Sequence, residues 1–380
     1  MEKGTNVYRK LQKHLDNMPV GFPESKTGLD IKLLKHLFTQ EEAAIALYLN
    51  AFPEPLAKIY KRNNDKAIPI AHFEKMLDNL VKKGAIMGGK MFSDSKENKH
   101  YSKAQLAIGI FEFQVDKITK EFAEDFYKYG DEVFAKEFIT KKTTQMRTVP
   151  VNKSINAEYC VGSYDDINAL VNNTKGPIAV INCVCRQAKD KMEDPCKKTD
   201  IRETCFIFDK PAEYFIRNKQ GRKISKEEAL ELFEKAEKTG LVLQPENTQK
   251  PKFICCCCGC CCAVLTAAKK FPKPATFLHT NYYVEIDVEK CTGCKICEKR
   301  CNMQAIELAE SLAVVDLDRC IGCGLCISSC KTNAISLKKK IKKTIPPKNQ
   351  FSLYNKITHE KFGPLGTMKI IGKKVMGKKI

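Results

Sequence analysis

Several features that mark other protein classes are missing from this 380-residue chain. No run of residues approaches the roughly 20 consecutive apolar side chains that a membrane-spanning helix needs. The first residues lack the apolar segment of a secretory signal peptide. No glycine-rich dinucleotide fingerprint follows a predicted strand, and neither a flavin motif nor a nucleophile triad can be picked out. We therefore expect a cytoplasmic protein that has no nucleotide cofactor of its own.

Cysteine is what the chain has in abundance, with 20 residues. In a short secreted chain this number would predict disulfides. Without a signal peptide, the cysteines are better interpreted as thiols kept reduced in a cytosol. So many of them also suggest an anaerobic cell. At this length, two or three domains with their own cores are expected.

The most regular cysteine pattern lies between residues 291 and 330. The motif Cys-x2-Cys-x2-Cys-x3-Cys occurs twice, at Cys291, Cys294, Cys297 and Cys301, and again at Cys320, Cys323, Cys326 and Cys330. Thiolates at this spacing wrap around a cubane, three from one run and the fourth from the other. The second run repeats the first at an offset of 29 residues, so that Ala305 corresponds to Ala334 and Gly293 to Gly322. The pattern predicts two [4Fe–4S] clusters held by two similar half-units.

Over residues 281–340 the chain closely resembles the bacterial dicluster ferredoxins. The resemblance implies that one cluster is held by Cys291, Cys294, Cys297 and Cys330, and the other by Cys320, Cys323, Cys326 and Cys301. The ferredoxin pattern has proline after each fourth cysteine, where this chain has Asn302 and Lys331. Neither residue is a ligand, so the change affects turn geometry and potential. A zinc site would leave the third and fourth cysteine of each run unexplained.

A second group of cysteines lies between residues 178 and 262. A predicted buried strand at 178–182 runs into Cys183 and Cys185, and seven cysteines within the eight positions 255–262 precede a predicted helix. Strand ends and helix starts are where loops present ligands, and a helix N-terminus favours the thiolate. We predict one third site, an Fe–S cluster or another metal, with ligands from Cys183, Cys185, Cys196, Cys205, Cys255, Cys257, Cys258, Cys260 and Cys261.

Other interpretations of this group stay open. Loosely structured cysteines could store zinc. The sequence Cys257-Cys258-Gly259 resembles the Cys-Cys-Gly motif of heterodisulfide reductase subunits, although that family's full spacing is absent. Gly259 would let the backbone fold tightly around a large ion or cluster. Cys160 stands alone in the sequence and is expected to be a small core residue.

Residues 28–115 indicate a small helical domain. Thr39 and Glu42 form a capping-box pattern, and an apolar stripe predicts a helix over 71–83 ended by Gly84. With a predicted strand at 85–91, this order resembles a winged helix, whose second helix would enter the major groove of DNA. Glu74 and Asp78 are predicted on its outward face, where they would oppose phosphates. A packing or docking role is therefore favoured. An amphipathic helix is predicted over 115–140, interrupted at Gly130.

The charge of the chain, +20, is concentrated at its C-terminal end. Residues 338–380 contain thirteen lysines and one glutamate, net +12, which leaves +8 for the remainder. A flexible cationic tail is expected. It would steer an acidic redox partner, or touch anionic lipid or nucleic acid.

These observations predict an α+β multidomain chain. Its segments are a winged-helix-like helical domain at 1–147, a Cys-rich α/β domain at 148–280, a dicluster ferredoxin domain at 281–340 and a basic tail at 341–380. The arrangement resembles multidomain ferredoxin-like proteins of anaerobes and implies electron transfer between redox partner proteins. The alternatives are a redox-responsive Fe–S transcription regulator and a reductase of a disulfide-like substrate at the Cys-rich site. Whether the chain is an enzyme stays open.

Overall fold

The computed structural model describes residues 3–63, 68–89, 99–154 and 162–375. Cys160 lies outside these residues. The chain forms two compact units, one made of Met1–Phe138 with Tyr354–Ile380 and the other of Ile139–Leu353. Within the described ranges, no helix combines the length and the apolar character needed to cross a membrane.

The first unit is mostly helical. Its helices are α1 (Lys3–Asp16), α2 (Leu29–Leu37), α3 (Gln40–Ala46), α4 (Leu56–Lys61), α5 (Ile70–Lys83), α6 (Lys120–Tyr129) and α7 (Ala135–Ile139). Strands β1 (Glu54–Pro55), β2 (Ile86–Gly89) and β3 (His100–Lys103) pair antiparallel in the order β1-β3-β2. Apolar side chains at helical spacing on α5, namely Phe73, Leu77 and Leu80, are buried in the core.

Local signals in the sequence set the ends of these helices. The Thr39 side chain accepts a hydrogen bond from the Glu42 amide, and the Glu42 carboxylate accepts one from the Thr39 amide, so the predicted capping box is confirmed. Helix α5 starts one residue before the predicted boundary. It ends at Gly84, whose φ of +76° lies in the left-handed region that glycine adopts at little cost.

The two carboxylates predicted on the outward face of α5 are already paired. Lys99 Nζ lies 2.9 Å from Glu74 Oε1 and 2.6 Å from Asp78 Oδ2. The hydroxyl of Tyr101 donates to Asp78 Oδ1 at 2.8 Å. Lys99 therefore offsets one of the two negative charges predicted on this face, and Tyr101, on β3, holds Asp78 in place.

In the structure, the helix predicted over 115–140 begins later than expected, and its interruption at Gly130 is itself a helical turn. Helix α6 begins at Lys120, where the Thr119 side chain accepts a hydrogen bond from the Phe122 amide. The interruption expected at Gly130 takes the form of a π-helical turn, Gly130–Phe134, which leads directly into α7. The helix therefore changes its hydrogen-bond pattern at this point without ending.

The second unit is built on an antiparallel sheet with the strand order β6-β4-β5-β8-β7. Its strands are β4 (Ile178–Asn182), β5 (Glu203–Phe208), β6 (Arg222–Ile224), β7 (Val242–Pro245) and β8 (Phe253–Cys257). The helices around it are α8 (Ile167–Asn172), α9 (Val184–Lys191), α10 (Lys210–Arg217), α11 (Lys226–Lys238) and α12 (Ala263–Ala268). The α/β arrangement predicted for this segment was wrong, because every strand pairing in this sheet is antiparallel.

Residues 282–339 of the same unit contain two antiparallel strand pairs. Strands β9 (Tyr282–Ile286), β10 (Ile306–Ala309), β11 (Leu312–Val315) and β12 (Ile335–Lys339) pair as β9 with β12 and β10 with β11, and α13 (Ile296–Arg300) follows the first cysteine loop. The repeat predicted from the sequence is present in the backbone. Gly293 and Gly322 have φ values of +65° and +60°, and a Cβ at either would clash with a backbone carbonyl.

The basic tail is helical from Gln350 to Val375. Helix α14 (Gln350–Val375) starts at the end of the second unit, continues into the first and kinks at Gly363. Ile357 is fully buried, and the Lys361 ammonium donates to the carbonyls of Asp16 and Met18 at 2.7 and 2.9 Å. The expectation of a flexible tail was wrong, because its apolar and cationic side chains find partners in the first unit.

Candidate metal centres

The eight cysteines of the repeated motif line two separate cavities. The first cavity is lined by Cys291, Cys294, Cys297 and Cys330, and the second by Cys301, Cys320, Cys323 and Cys326. The two cavities are of equal size. In both, the fourth cysteine comes from the other run. The structure thus groups the sulfurs as the ferredoxin resemblance implied, while cluster binding by each set stays a prediction.

The two cavities differ in their exposure to solvent. Cys294 of the first cavity is exposed, and so is Ile296 beside it. In the second cavity Cys320 and Cys326 are buried, and burial raises the pKa of Cys323 to about 12. We call the first the outer cavity and the second the inner cavity. Because a raised pKa keeps a thiol protonated, a metal that binds in the inner cavity would have to displace the thiol protons.

Backbone amides in equivalent positions support one cysteine of each run. The Ala305 amide donates to Cys301 Sγ at 3.2 Å, and the Ala334 amide donates to Cys330 Sγ at 3.3 Å. Hydrogen bonds to a sulfur favour its anionic form and are among the factors that tune cluster potential. At Cys330, burial opposes ionisation, but the bonds from Thr332 and Ala334 lower the pKa of the thiol below its ordinary value.

The residue after Cys301 joins the inner cavity to the Cys-rich segment. Asn302 is buried, its Oδ1 accepts a hydrogen bond from the Gly259 amide at 2.8 Å, and its Nδ2 donates to the Gly240 carbonyl at 2.8 Å. A Cβ at Gly259 would collide with the Asn302 carbonyl. Proline could make neither side-chain bond. The departure from the ferredoxin pattern at this position therefore connects two cysteine-bearing loops.

Cations reinforce the same junction. The Lys269 ammonium donates to the Gly259 carbonyl at 2.5 Å and is close enough to Cys258, Cys260 and Cys301 to feel their charges. The Arg300 guanidinium donates to the carbonyls of Glu237, Lys238 and Leu325. The inner cavity is thus attached to the sheet domain by side chains whose charge suits a nearby anionic centre.

Four cysteine sulfurs meet on one side of this junction. The Sγ atoms of Cys196, Cys258, Cys260 and Cys261 all lie within 4.8 Å of one another. The Cys196 sulfur is 3.6 Å from that of Cys258 and 3.8 Å from that of Cys260, and the Cys260 and Cys261 sulfurs are 3.7 Å apart. We call these residues the four-thiol group.

The spacing within the four-thiol group matches a single tetrahedral ion. A metal–sulfur bond of about 2.3 Å places the four sulfurs of a tetrahedron about 3.8 Å apart. One thiol is also prepared for ionisation, because a hydrogen bond from Cys261, helped by the Arg186 charge, lowers the pKa of Cys258 to about 5 despite its burial. The group can therefore hold one thiophilic ion.

A different set of cysteines forms a second group, which we call the thiol ring. Its members, in the order in which neighbouring thiols shift one another's pKa, are Cys183, Cys185, Cys262, Cys257, Cys255 and Cys205, which returns to Cys183. Hydrogen bonds from Cys185 and Cys205 lower the pKa of Cys183, and those from Cys185 and Cys257 lower the pKa of Cys262.

Arg186 lies between the four-thiol group and the thiol ring and is fully buried. It donates to Thr204 Oγ1 and to the Cys256 carbonyl. Burial alone would lower the pKa of its guanidinium, but the charges of Cys183 in the ring and Cys258 in the four-thiol group raise it. A buried cation needs an anionic partner. Thiolates in the thiol ring and in the four-thiol group provide this anionic partner.

The structure therefore brings the predicted ligands of the Cys-rich segment into one region but divides them into two groups. The four-thiol group contains Cys196, Cys258, Cys260 and Cys261. The thiol ring contains the other predicted ligands, Cys183, Cys185, Cys205, Cys255 and Cys257. The sequence prediction of one common pocket was too simple, and it omitted Cys262. Cys256 lies on the opposite face of β8 from its neighbours Cys255 and Cys257, as the alternation of a strand requires.

Comparison with known proteins gives one match. A 4Fe–4S binding domain family matches residues 313–336, which include Cys320, Cys323, Cys326 and Cys330. No curated protein and no solved structure matches the chain significantly. The chain thus contains a 4Fe–4S binding domain together with a cluster of further cysteines, and this supports at least one Fe–S cluster.

Proposed function

We propose that this protein transfers electrons through two [4Fe–4S] clusters, held in the outer and inner cavities, to a metal bound by the four-thiol group. Outer-cavity ligands would be Cys291, Cys294, Cys297 and Cys330, and inner-cavity ligands Cys301, Cys320, Cys323 and Cys326. The matched 4Fe–4S binding domain supports iron–sulfur binding, and the two equal cavities support a second cluster.

One observation carries the proposed direction of the path. Asn302 follows the inner-cavity residue Cys301 and bonds directly to Gly259, which sits between Cys258 and Cys260 of the four-thiol group. Inner cavity and four-thiol group are therefore linked through one hydrogen bond and short stretches of backbone. The exposed Cys294 makes the outer cavity the side that meets a redox partner protein.

The four-thiol group needs a redox-active ion for this role. Iron bound by four thiolates can accept an electron, whereas zinc has no redox chemistry. If zinc fills the group, electrons stop at the inner cluster and the group is structural. Metal analysis of protein purified without added zinc decides between these outcomes.

The test uses the full-length protein, purified and reconstituted anaerobically. We expect about eight irons from the two cavities, four per cubane, and a pair of interacting reduced clusters in EPR spectra. Cys320→Ala should remove the inner cluster, leave the outer one and slow the reduction of iron in the four-thiol group. Reconstitution that incorporates zinc but never iron and sulfide would refute the proposal.

A redox-responsive regulator is the second candidate. Pairing of Glu74 and Asp78 with Lys99 reduces the repulsion of phosphate that argued against DNA binding by α5. His72, Lys75 and Asn79 are exposed on that helix. Gel-shift titrations at graded salt, with oxidised and reduced protein, test this candidate. Electron transfer remains our proposal because the matched 4Fe–4S binding domain and the two cysteine-lined cavities support it directly.

A further inference from the structure

The thiol ring lies on one face of the sheet and on the loops at its edge. Cys205 on β5 and Cys255 on β8 are directly opposite each other in the strand register, so their side chains share a face. Cys257, two residues further along β8, points to the same face. Three sulfurs of the ring therefore have fixed positions on neighbouring strands.

The other three sulfurs reach the ring from loops. Cys183 follows β4 and precedes α9, and Cys185 lies in the first turn of that helix. Cys262 ends the turn between β8 and α12, where its amide donates to the Cys258 carbonyl at 3.1 Å. The Cys262 sulfur lies 3.8 Å from Nε2 of Gln244, which is opposite Cys255 in the strand register, so this loop sulfur lies beside the strand sulfurs.

A buried amide at the ring has an unused acceptor. Gln244 on β7 is opposite Cys255 in the register and is fully buried. Its Nε2 lies 3.8 Å from Cys262 Sγ, while its Oε1 has no hydrogen-bond partner among the described residues. Leaving a buried carbonyl oxygen without a partner costs about 1–3 kcal/mol. The Nε2 group, by contrast, points its donor at a ring sulfur, and hydrogen bonds to sulfur are one way in which a protein supports an iron–sulfur centre.

The charge beside the ring also calls for an anionic centre. Arg186 is fully buried, and its Nε has no hydrogen-bond partner among the described residues. Its positive charge lies close to Cys183. A metal bound by several thiolates has a net negative charge, which this guanidinium offsets in a site closed to water.

We propose that the six cysteines of the thiol ring bind a polynuclear iron centre that is separate from the metal of the four-thiol group. Six thiols exceed the four that one tetrahedral ion takes. Two tetrahedral ions that share two bridging thiolates use six, and inorganic sulfide would allow a larger cluster. Thiolates of this kind select soft metals, including iron in Fe–S clusters. This site does not depend on the proposed electron path.

The test compares iron and acid-labile sulfide in full-length variants reconstituted anaerobically with ferrous iron and sulfide. Cys205→Ser should lose about two or more irons, and Cys260→Ser about one, on the tetrahedral count used above. The double variant should lose the sum of both. Cys256→Ser is the matched control, because this cysteine lies on the same strand but on its other face; it should retain all the iron.

Two outcomes would overturn the proposal. A double variant that loses no more iron than the more affected single variant would mean one shared site. Full wild-type iron in Cys205→Ser would mean that the ring binds none. If Cys205→Ser fails to fold, the wild-type count decides: about nine irons, eight in the cavities and one in the four-thiol group, contradict the proposal, and about eleven or more support it.

A spectroscopic control separates the ring from the other sites. Gln244→Leu removes no sulfur, yet it should change the Mössbauer parameters of the iron that Cys205→Ser removes. The EPR signals of the outer and inner clusters should stay unchanged in both variants. Loss of those signals with the ring iron intact would contradict the electron-transfer proposal and leave the ring site standing.

Discussion

Asn302 Oδ1 lies 2.8 Å from the Gly259 amide, so the inner cysteine loop is hydrogen-bonded to the Cys-rich turn. The same side chain also donates to the Gly240 carbonyl. Because both bonds are buried, Asn302→Ala should leave two polar groups unpaired and destabilise the second unit by about 1–3 kcal/mol. Iron in the four-thiol group should be lost or reduced more slowly, as stopped-flow absorbance would record.

Lys331 provides the control for that substitution. It occupies the same position after Cys330 as Asn302 does after Cys301, but its side chain is exposed. Lys331→Ala should leave stability and electron transfer unchanged. Equal effects at both positions would contradict the assigned role of Asn302.

Gly259→Ala should damage the same junction by a steric route. The new methyl group would collide with the Asn302 carbonyl, a backbone atom that cannot rotate away. Overpacking of this kind costs about 1–3 kcal/mol, and metal content of the four-thiol group should fall with it. In Gly130→Ala, by contrast, the methyl group meets nothing within 4 Å and lies in helical backbone. That control should stabilise the first unit by about 0.5–1 kcal/mol in thermal unfolding.

Glu246 should make the stability of the second unit depend on pH. Its carboxylate is almost fully buried, and burial raises its pKa from the ordinary 4.5 to about 6, although Lys252 and Gln350 donate hydrogen bonds to it. A raised folded-state pKa means that stability is present below pH 4.5 and is lost as the pH rises through 6. The shift corresponds to about 2 kcal/mol at 1.36 kcal/mol per pKa unit.

Glu246→Gln should therefore gain stability relative to the wild type as the pH rises from 5 to 7. The difference between the melting temperatures of the two proteins, measured anaerobically at each pH, removes effects common to both. Glu285→Gln changes an exposed carboxylate, 58% accessible, and should give a flat difference. A flat difference for Glu246→Gln as well would show that burial does not perturb this carboxyl group.

Lys361→Ala should destabilise the first unit, because its ammonium bonds two carbonyls and lies 3.5 Å from Glu137. Hydrogen bonds to a charged group are worth about 1.5–3 kcal/mol. Lys369 on the same helix is exposed, so Lys369→Ala should have no effect on chemical denaturation. If both variants unfold like the wild type, the tail is not anchored through Lys361.

Regular patterns in the sequence predicted many local features well. The ferredoxin resemblance implied the two cavity groupings, the capping box at Thr39 marked a helix start, and an apolar run marked β4. Each depends on residues close in sequence, whose physical preferences act locally. The match to a 4Fe–4S binding domain supports iron–sulfur binding for residues 313–336.

The division of the Cys-rich segment could not be predicted in the same way. Cys257 belongs to the thiol ring because it is the last residue of β8 and its side chain follows the alternation of the strand. Cys258 lies beyond the end of β8, so its side chain is free to join the four-thiol group. Seven near-consecutive cysteines give no local signal for that boundary. The tail helix was missed for a similar reason, since partners such as Asp16 and Glu137 are remote in sequence.

The change of direction between Cys257 and Cys258 fixes how the two thiol groups can communicate. One residue belongs to the ring and the next to the four-thiol group, so a single peptide unit joins them. No hinge or sliding interface can alter their separation. With iron in both groups, conformational gating would not control electron exchange between them, and its rate should be insensitive to solvent viscosity.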